Sequence, residues 1–341
     1  MTPQAALAAL IEKRDLSRDE MLSIMHQIMA GELTPVQIAG ILIALRCKGE
    51  TVAEIAAAAE VMRELSAKVP VPQDAHLVDT CGTGGDGVHT FNVSTASALV
   101  AAAAGVKIAK HGGRSVSSTC GSADVLEALG VNVNLTPDQV AHSIEEIGVG
   151  FMFAPNYHSA MKHAAPVRRE LGVRTLFNLL GPLTNPAGAK NQVMGVFSKH
   201  LARPLAEALR TLGANHVLVV HGADGMDEIT ISTETHIAEL KDGVVTEYAV
   251  SPELFGMQPG AIVDLKAHDR DESKAKLLQV LDNQPGAARD IVVLNAGAAI
   301  YVAGLAASLA EGVQQAAQAI ASGAARRKLD ELIKLSMGFQ A

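Results

Sequence analysis

The stretch HLVDTCGTGGDGVHTFNVSTASALVAAAA, residues 76–104, joins an apolar run, a glycine-rich loop and an alanine-rich segment. The run from His76 to Thr80 predicts a buried strand, and the segment from Thr95 to Ala104 predicts a helix. Four glycines between Gly82 and Gly87 let the backbone approach a ligand closely and direct its N–H groups inward. A strand, a glycine loop and a helix in this order indicate an α/β fold.

The loop between these elements favours a phosphate ligand. Asn92, Ser94 and Thr95 place side-chain donors at the start of the helix, where the backbone dipoles favour an anion. A tight turn followed by a helix cap is the alternative interpretation. Because one glycine pair would suffice for a turn, four glycines beside three polar residues favour the phosphate site.

Gly82, Gly84 and Gly87 also match the GxGxxG pattern of dinucleotide-binding folds. That pattern requires a helix directly after the third glycine and an acidic residue at the end of the next strand. Here several residues separate the third glycine from the predicted helix. The next predicted strand, Val106 to Ala109, is followed by Lys110 and not by an acidic residue. A cation at this point suits a phosphate or pyrophosphate better than a free ribose.

A second donor-rich loop, KHGGRSVSS, runs from Lys110 to Ser118, and Gly121 and Ser122 follow it. Two cations, two glycines and several hydroxyls in one loop are typical of a polyanion site, with a solvated surface loop as the alternative. We expect this loop at the same edge of the sheet as the first one. Ser122 either caps the next helix or contacts the ligand.

Acidic and basic pairs occur further along the chain. Asp227 and Glu228 follow the predicted strand Val217 to His221. Adjacent carboxylates at this place can hold Mg²⁺ beside phosphates, with a solvated turn as the alternative interpretation.

Arg168 or Arg169 can hold a ligand carboxylate through two hydrogen bonds, with exposed arginines at a helix end as the alternative.

The composition narrows the class of protein. The chain has 341 residues, 28 of them basic and 36 acidic, so its formal charge is −8. The 48% of apolar residues support a large buried core and argue against a disordered chain. The length predicts two domains of unequal or similar size. The acidic balance argues against nucleic-acid binding through bulk charge.

The cysteines and histidines indicate no structural metal. Cys47, Cys81 and Cys120 are widely spaced and form no CxxC motif, which argues against a disulfide framework or a thiolate zinc site. His158 and His163 lack the spacing of a helical zinc pair. With no targeting segment evident at the N-terminus, we expect a cytoplasmic protein.

Residues 1–70 predict a small helical domain. Each helix start carries a capping signal: Thr2-Pro3, Ser17 with Glu20, Thr34 with Gln37, and Thr51 with Glu54. The second helix has a methionine-rich apolar stripe, which is typical of a core or a subunit interface. We therefore predict a homodimer through these N-terminal helices.

Residues 71–341 predict a large α/β domain with a mostly parallel sheet. Further elements are expected in this order: helix Ala123 to Leu129 and strands Val131 to Leu135, Val149 to Ala154, Gln192 to Phe197 and Val217 to His221. Two runs within Ile229 to Val250, joined at Asp242-Gly243, predict an antiparallel hairpin. The irregular segment Pro155 to Pro186 is expected to pack on the N-terminal helices, so that part of 155–190 joins the small domain.

The uncharged stretch Ile291 to Ala310 is about as long as a membrane span. Because it contains Asn295, Gly297 and many alanines, we interpret it as a buried strand, Ile291 to Leu294, followed by a packed helix. No membrane association is expected.

Taken together, these segments resemble the anthranilate phosphoribosyltransferase family over nearly the whole chain. The loop Gly82 to Gly87, the run Asn92 to Thr95, the loop Lys110 to Ser118 and the Asp227-Glu228 pair occur in the family's order and spacing. The resemblance implies the fold of pyrimidine nucleoside phosphorylases and a usually dimeric assembly. It also implies transfer of phosphoribose from phosphoribosyl pyrophosphate (PRPP) to the amine of anthranilate.

The resemblance also implies roles for individual residues. The PRPP site would comprise Gly82, Gly85, Asp86, Thr90, Asn92, Val93, Ser94, Thr95, Lys110, His111, Gly112, Gly113, Arg114, Ser115, Val116, Ser117, Ser118 and Ser122. The anthranilate site would comprise Gly82, Gly113, His158 and Arg168, with His111 along the substrate's path. The metal site, for two Mg²⁺ ions, would comprise Ser94, Asp227 and Glu228. Catalytic roles would belong to Lys110, Asp227 and Glu228.

The chain departs from the family's pattern at two positions. The family usually has asparagine at the position of Gly113, and that side chain contacts anthranilate, so a water or the backbone must replace it here. The family also tends to have proline after the histidine that matches His158, where this chain has Ser159. Both departures concern the acceptor side of the implied site.

Two rival functions use the same scaffold. A nucleoside phosphorylase would need one phosphate pocket and a nucleobase site, whereas the loop Lys110 to Ser118 and the pair Asp227-Glu228 favour a magnesium-bound pyrophosphate donor. A non-enzymatic relative that binds nucleic acid would need a basic surface. The charge of −8 and the retained acidic pair argue against it.

Overall fold

The computed structural model describes residues 1–72, 76–114 and 120–339. The helices are α1 Pro3–Ile11, α2 Arg18–Ala30, α3 Pro35–Lys48, α4 Val52–Glu64, α5 Val93–Ala103, α6 Ser122–Ala128, α7 Pro137–Ile147, α8 Ala154–Tyr157, α9 Ala165–Leu171, α10 Phe177–Leu180, α11 Ala202–Thr211, α12 Arg270–Leu281, α13 Ala287–Val302, α14 Leu309–Ala321 and α15 Ala324–Gly338. The strands are β1 Leu77–Gly82, β2 Lys107–Gly112, β3 Val149–Phe153, β4 Asn191–Gly195, β5 His216–Gly222, β6 Thr235–Lys241 and β7 Val244–Val250.

The first four helices form the helical N-terminal domain and begin where the capping signals predict. Thr2 caps α1, with Pro3 as its first residue, and Ser17, Thr34 and Thr51 form complete capping boxes at α2, α3 and α4. In each box the cap hydroxyl accepts a backbone N–H from the first turn, which satisfies a donor that the helix itself cannot. These helix starts are therefore fixed by local sequence.

In the described part of the chain, seven strands form one sheet in the order β3-β2-β1-β4-β5-β6-β7. The first five strands in this order are parallel to one another, and β6 and β7 are added antiparallel. The chain turns between β6 and β7 at Asp242 and Gly243, whose φ angles of +51° and +76° are those of a two-residue hairpin turn. The predicted mostly parallel sheet with an antiparallel addition is confirmed.

Helices cover both faces of the sheet. In β5, Leu218 and Val220 face the core formed with α5 and α12 to α15, whereas Val217 and Val219 face the core formed with α11 and the N-terminal helices. All four side chains are fully buried. Burial on both faces explains why the central strands are continuously apolar in sequence.

The segment after β3 packs on the N-terminal helices, as expected. Ala164, Val167, Phe177 and Leu180 share a core with α1 to α4. Arg63, on α4, donates to the carbonyl oxygens of residues 183 and 212, at 2.6 and 3.2 Å. The bond to residue 183 joins α4 to the segment after β3, and the bond to residue 212 joins α4 to the end of α11.

The predicted strand Val131 to Leu135 is wrong. Its alternating apolar residues are buried, but the segment lies outside the ladder. The Asn132 N–H donates to the Ser336 hydroxyl at 3.1 Å, and the Asn134 N–H donates to the Asn132 side chain at 3.0 Å. Because side chains satisfy these backbone groups, the extended segment needs no neighbouring strand.

The predicted strand Ile291 to Leu294 is also wrong, because these residues lie within α13. They are buried on every side, and a run buried all round has no periodicity that separates a strand from a helix.

The first strand of the hairpin begins at Thr235 and not in the apolar run at Ile229. Within the described part of the chain, no helix is long and apolar enough to cross a membrane.

Candidate active site

The carboxyl ends of neighbouring parallel strands define the candidate site. The glycine loop follows β1, Lys110 and His111 are among the last residues of β2, and the loop with Asp227 and Glu228 follows β5. Since β2, β1, β4 and β5 are adjacent and parallel, these loops meet at one edge of the sheet. Ligands of open α/β sheets bind at this edge. The expectation that the two donor-rich loops share it is confirmed for the described part of the second loop, Lys110 to Arg114.

Three hydrogen bonds to two other segments, the end of β4 and the loop after β5, fix the glycine loop. The Thr83 N–H donates to the Gly195 oxygen at 2.9 Å, and the Phe197 N–H donates to the Thr83 hydroxyl at 3.2 Å. The Gly84 N–H donates to Asp227 Oδ2 at 2.8 Å, which joins the first loop to the acidic pair. Left-handed backbone conformations with φ of +67° to +76° occur at Gly84, Gly85 and Gly87.

Gly195, at the end of β4, makes room for the acidic pair. A Cβ at this position would lie 1.5 Å from the backbone oxygen of Asp227, and a Cβ at Gly82 would lie 2.5 Å from Asp227 Oδ2. Neither position can hold a side chain without moving Asp227. No sequence motif surrounds Gly195. Its role in making room for Asp227 becomes visible only in the folded sheet, where β4 pairs with β1.

The carboxyls of Asp227 and Glu228 lie in a site that disfavours their charge. Burial, together with the charge of Asp86, raises the pKa of Asp227 to about 7. Burial and the charge of Asp227 raise the pKa of Glu228 well above its usual range, while Lys110 and a backbone hydrogen bond from Ser94 oppose this. The pair therefore lacks enough positive charge from the protein alone.

Lys110 is the buried cation of this site, with its residue only 3% exposed. Its ammonium donates to the Thr80 carbonyl and, at 3.2 Å, to the Ser94 hydroxyl, so it reaches from β2 to β1 and to the start of α5. Burial lowers its pKa, and the charges of Asp79 and Glu228 oppose this shift. Lys110, Ser94 and the acidic pair thus converge, as sequence analysis predicts.

Asp79 and Asn185, which sequence analysis missed, hold the end of β2 in place. Register pairing between β1 and β2 extends only to Val78 and Ile108. Beyond this point, Asp79 Oδ1 accepts from the His111 N–H at 3.1 Å, and Asp79 Oδ2 accepts from the Asn185 side chain at 2.8 Å. The quoted motif contains Asp79, but its role depends on Asn185, which is 106 residues away.

The second loop is only partly described, because Ser115, Val116, Ser117 and Ser118 lie outside the described residues. The guanidinium of Arg114 pairs with Asp124 at 2.7 Å and with Glu127 at 2.6 Å. These two carboxylates on α6 already balance the charge of Arg114, which therefore supplies less free charge to a polyanion than its place in the motif suggests.

Ser122 is the first residue of α6, and Gly121 precedes it as the cap. The interpretation of Ser122 as a helix cap is therefore wrong. Its hydroxyl accepts from the Thr95 hydroxyl at 3.1 Å, which joins the starts of α5 and α6.

The two glycines of the second loop differ in the space around them. A Cβ at Gly112 would lie 3.2 Å from Ser122, whereas a Cβ at Gly113 would meet no atom within 4 Å.

The start of α5 is held by Asn92, whose side chain donates to the Cys120 oxygen at 3.2 Å and accepts from the Ser273 hydroxyl at 2.7 Å. This amide is therefore engaged within the protein. Val93 begins the helix and is buried. Thr90 pairs with one residue of the 262–267 segment, and Asp86 accepts from a backbone N–H within its own loop.

His111 and His158 form a buried pair beside the donor loops. Their ring centroids are 5.1 Å apart, and the Nε2 atom of each ring is buried without a hydrogen-bond partner in the described structure. Burial lowers the pKa of His111 to about 3 and that of His158 to about 4, so both rings are neutral at pH 7. Two unpaired polar atoms in one buried place are available to a ligand.

Arg168, on α9, has the properties of a carboxylate receptor. It is half-buried, its guanidinium lies 5.4 Å from the ring centroid of Phe177, and it pairs with no carboxylate among the described residues. Burial lowers its pKa. Arg169, its neighbour, is exposed. Of the two arginines, Arg168 is therefore the better candidate for a buried ligand carboxylate.

The donor atoms fit Mg²⁺. In proteins this ion usually retains waters and binds one or two carboxylates together with substrate phosphates. Asp227 and Glu228 supply two carboxylates with raised pKa values, which a cation would favour in their charged form. No group of three or more His, Cys, Asp or Glu side chains suited to a metal occurs in the described structure, so the remaining ligands must be hydroxyls, waters or phosphates.

Comparison with known protein families shows the class of protein to which the chain belongs. Residues 4–66 match the helical bundle domain of the glycosyl transferase family, and residues 74–326 match its a/b domain. The chain is therefore a member of the glycosyl transferase family.

Individual relatives narrow this class. The chain is 65% identical over 336 residues to the anthranilate phosphoribosyltransferase of Thiobacillus denitrificans, covering 98% of both chains. The crystal structure of the Thermus thermophilus enzyme of that name is 46% identical, with a TM-score of 0.92 over 97% of this chain and 99% of the other. The Saccharomyces cerevisiae enzyme in complex with PRPP and Mg is 28% identical, with a TM-score of 0.83 over 94% and 92%. The chain belongs to the anthranilate phosphoribosyltransferase family.

Proposed function

We propose that this protein transfers the phosphoribosyl group of PRPP to the amine of anthranilate. The products are N-(5-phosphoribosyl)anthranilate and pyrophosphate, and the reaction belongs to tryptophan biosynthesis. One observation carries the proposal beyond family membership. The glycine loop, Lys110 and the Asp227-Glu228 pair converge at one sheet edge, beside His111 and His158, whose Nε2 atoms have no hydrogen-bond partner in the described structure.

The donor half of the site serves a diphosphate sugar. The N–H groups of the glycine loop, the start of α5 and Lys110 provide fixed positive potential for the leaving pyrophosphate. As the bond from the anomeric carbon breaks, negative charge grows on pyrophosphate and positive charge on the ribose. Removing one preorganised donor from such a site costs about 3–4 kcal/mol of barrier.

Mg²⁺, which the site's oxygen atoms fit, supplies charge neutralisation to the departing pyrophosphate when bound. Ser94, Asp227 and Glu228 would hold it, and we propose that two ions bind. Glu228 accepts from the Ser94 backbone and Asp227 from Gly84, so the carboxyls are oriented before any ligand arrives.

The acceptor half of the site orients anthranilate. We propose that Arg168 binds its carboxylate and that His111 and His158 line the path of its ring. The amine of anthranilate is weakly basic and neutral at pH 7, so it needs positioning near the anomeric carbon more than prior deprotonation. Gly113 leaves open space where the family usually has asparagine, and a water can fill it.

The assembly and location are also proposals. We propose a division at residues 70 and 71, with part of 155–190 joined to the small domain, and a cytoplasmic homodimer through the N-terminal helices. Ile11 on α1 and Val36 on α3 are 73% and 81% exposed in the single chain, as expected for an interface that a second copy covers.

The decisive test is the loss of anthranilate fluorescence with the purified chain. We expect loss only when PRPP and Mg²⁺ are both present, and release of pyrophosphate in equal amount. Asp227→Asn should abolish most of the turnover, and Asp282→Asn, which changes an exposed carboxylate at the end of α12, should not. Cleavage of a pyrimidine nucleoside by phosphate, without anthranilate turnover, would favour the phosphorylase alternative.

A further inference from the structure

Arg174 lies between the glycine loop and the helix that carries Arg168. It follows α9 and precedes α10. Its guanidinium donates to the carbonyl oxygen of Gly85, which belongs to the loop proposed above for the donor. Sequence analysis assigns it no role, because its partner is 89 residues away along the chain.

An aromatic platform fixes this exposed side chain. The Arg174 guanidinium lies 4.0 Å from the ring centroid of Phe197, a distance typical of a cation–π contact. The Phe197 N–H in turn donates to the Thr83 hydroxyl at 3.2 Å. Arg174 therefore contacts the glycine loop directly at one residue and indirectly at another.

The contact between Arg174 and Gly85 depends on the absence of a side chain at Gly85. Its φ is +76°, and a Cβ there would lie 3.3 Å from the terminal nitrogen of Arg174. Glycine at this position thus permits both the turn and the close approach of the guanidinium. A ligand that orders the loop also orders the carbonyl that Arg174 binds.

On its other side, Arg174 is joined to the acceptor arginine through the end of α9. Gly172, with φ of +61°, ends this helix, and its N–H donates to the Arg168 oxygen at 3.2 Å. Only Val173 separates Gly172 from Arg174. Arg174 therefore lies two residues after the turn that ends the helix of Arg168.

We propose that Arg174 is a positioning residue that couples the donor and acceptor subsites. A pyrophosphate group in the glycine loop fixes Gly85 and Arg174, which holds the end of α9 and orients Arg168 toward a carboxylate. Each ligand then tightens the other by the same factor, because coupling between two binding equilibria is reciprocal. This inference rests on the proposed function.

The test is a titration of anthranilate followed by its own fluorescence, with and without saturating Mg²⁺ pyrophosphate. The chain has no tryptophan, so the protein contributes little to the signal. We expect pyrophosphate to tighten anthranilate binding by about tenfold, within the usual range of coupling. In Arg174→Ala this factor should fall to within about twofold of unity, while affinity for anthranilate alone changes little.

Matched variants separate coupling from general damage. Arg174→Lys keeps the charge and lacks the planar fork, so it should also lose most of the tightening. It replaces Arg174→Ala if that variant fails to fold, as judged by circular dichroism. Arg169→Ala removes an exposed arginine from the same helix and should keep the full factor.

Three outcomes would overturn the inference: native tightening in the Arg174 variants, an equal loss in Arg169→Ala, or no tightening in the native chain. Turnover of the native chain is measured on the same preparation. Turnover without coupling refutes only the role of Arg174, whereas absence of both turnover and anthranilate binding refutes the proposed function and the inference together.

Discussion

At the scale of single residues, the site depends on the absence of a side chain at two glycines. Gly195 and Gly82 carry no side chain at the places where Asp227 approaches the ends of β4 and β1. The acidic pair consequently lies against the sheet edge, in contact with the glycine loop at Gly84. Small volume at two strand ends matters here as much as charge in the loops.

Gly195→Ala should displace Asp227, because the new Cβ would otherwise lie 1.5 Å from its backbone oxygen. A displacement of about 1 Å at a reacting centre costs about 100-fold in rate. We expect kcat/KM to fall by about this factor and the Mg²⁺ concentration for half activity to rise. Gly338→Ala, at the end of α15 with no atom within 4 Å, is the control. Native kinetics in Gly195→Ala would contradict the proposal that the absence of a side chain at Gly195 positions Asp227.

Arg168→Ala should weaken anthranilate binding specifically. Loss of a charge-assisted hydrogen-bonding pair costs about 2 kcal/mol, so KM for anthranilate should rise about 30-fold. KM for PRPP should change much less, because Arg168 lies on α9 and not in the donor loops. Steady-state kinetics with each substrate varied, with Arg169→Ala as the matched control, measures this. An unchanged KM for anthranilate would remove the assignment.

At the scale of elements, α13 and α14 illustrate how backbone contact replaces side-chain packing. A Cβ at Gly312 would lie 2.2 Å from the Gly297 oxygen, and a Cβ at Gly297 would lie 2.6 Å from the backbone nitrogen of Val313. The two helices therefore touch along their backbones. This contact explains why the long uncharged stretch contains small residues: they permit close helix packing inside the protein.

Gly312→Ala should separate these helices. Overpacking of this kind typically costs about 1–3 kcal/mol of unfolding free energy. We expect a loss of about 2 kcal/mol in urea unfolding, with Gly338→Ala as the reference for adding a methyl group to a helix in open space. Equal stability of the two variants would show that the helices can move apart freely.

Elements with local signals could be predicted from the sequence, and elements defined by distant partners could not. The capping boxes at Ser17, Thr34 and Thr51 each span four residues, and the glycine loop from Gly82 to Gly87 spans six. Val131 to Leu135 alternates like a strand, yet Ser336, 204 residues away from Asn132, satisfies its backbone. The same limit applies to the site, because Gly195 and Arg174 gain their roles only through the folded sheet edge.

At the scale of the whole molecule, the buried histidines make stability depend on acidity. The pKa values of His111 and His158 fall from 6.5 to about 3 and about 4 on folding. Below pH 6.5 the unfolded chain therefore binds protons that the folded chain excludes, and stability declines as the pH falls toward 4. The loss between pH 6.5 and 5 should be roughly 1–2 kcal/mol per ring.

Urea unfolding at pH 7.5 and pH 5.0 measures this loss. His158→Gln should reduce the difference between the two pH values, because glutamine does not titrate. His142→Gln, which removes an exposed histidine on α7, should leave the difference nearly unchanged. An equal pH dependence in the native chain and in His158→Gln would contradict the prediction.

The proposed dimer is a property of the N-terminal helices. Ile11→Asp combined with Val36→Asp places charges on the apolar surface of α1 and α3 and should give a monomer in light scattering at micromolar concentration. Leu254→Asp, 66% exposed in the 252–255 turn, should remain dimeric. A monomeric native chain under the same conditions would refute the dimer.

The bond between Gly84 and Asp227 has a consequence for synthesis on the ribosome. The two residues are 143 positions apart, and β1 pairs with β4 as well as with β2. A growing chain therefore exposes its glycine loop long before the acidic pair has been translated. The candidate site therefore cannot be complete until translation has passed Glu228, so its two halves are joined late in folding.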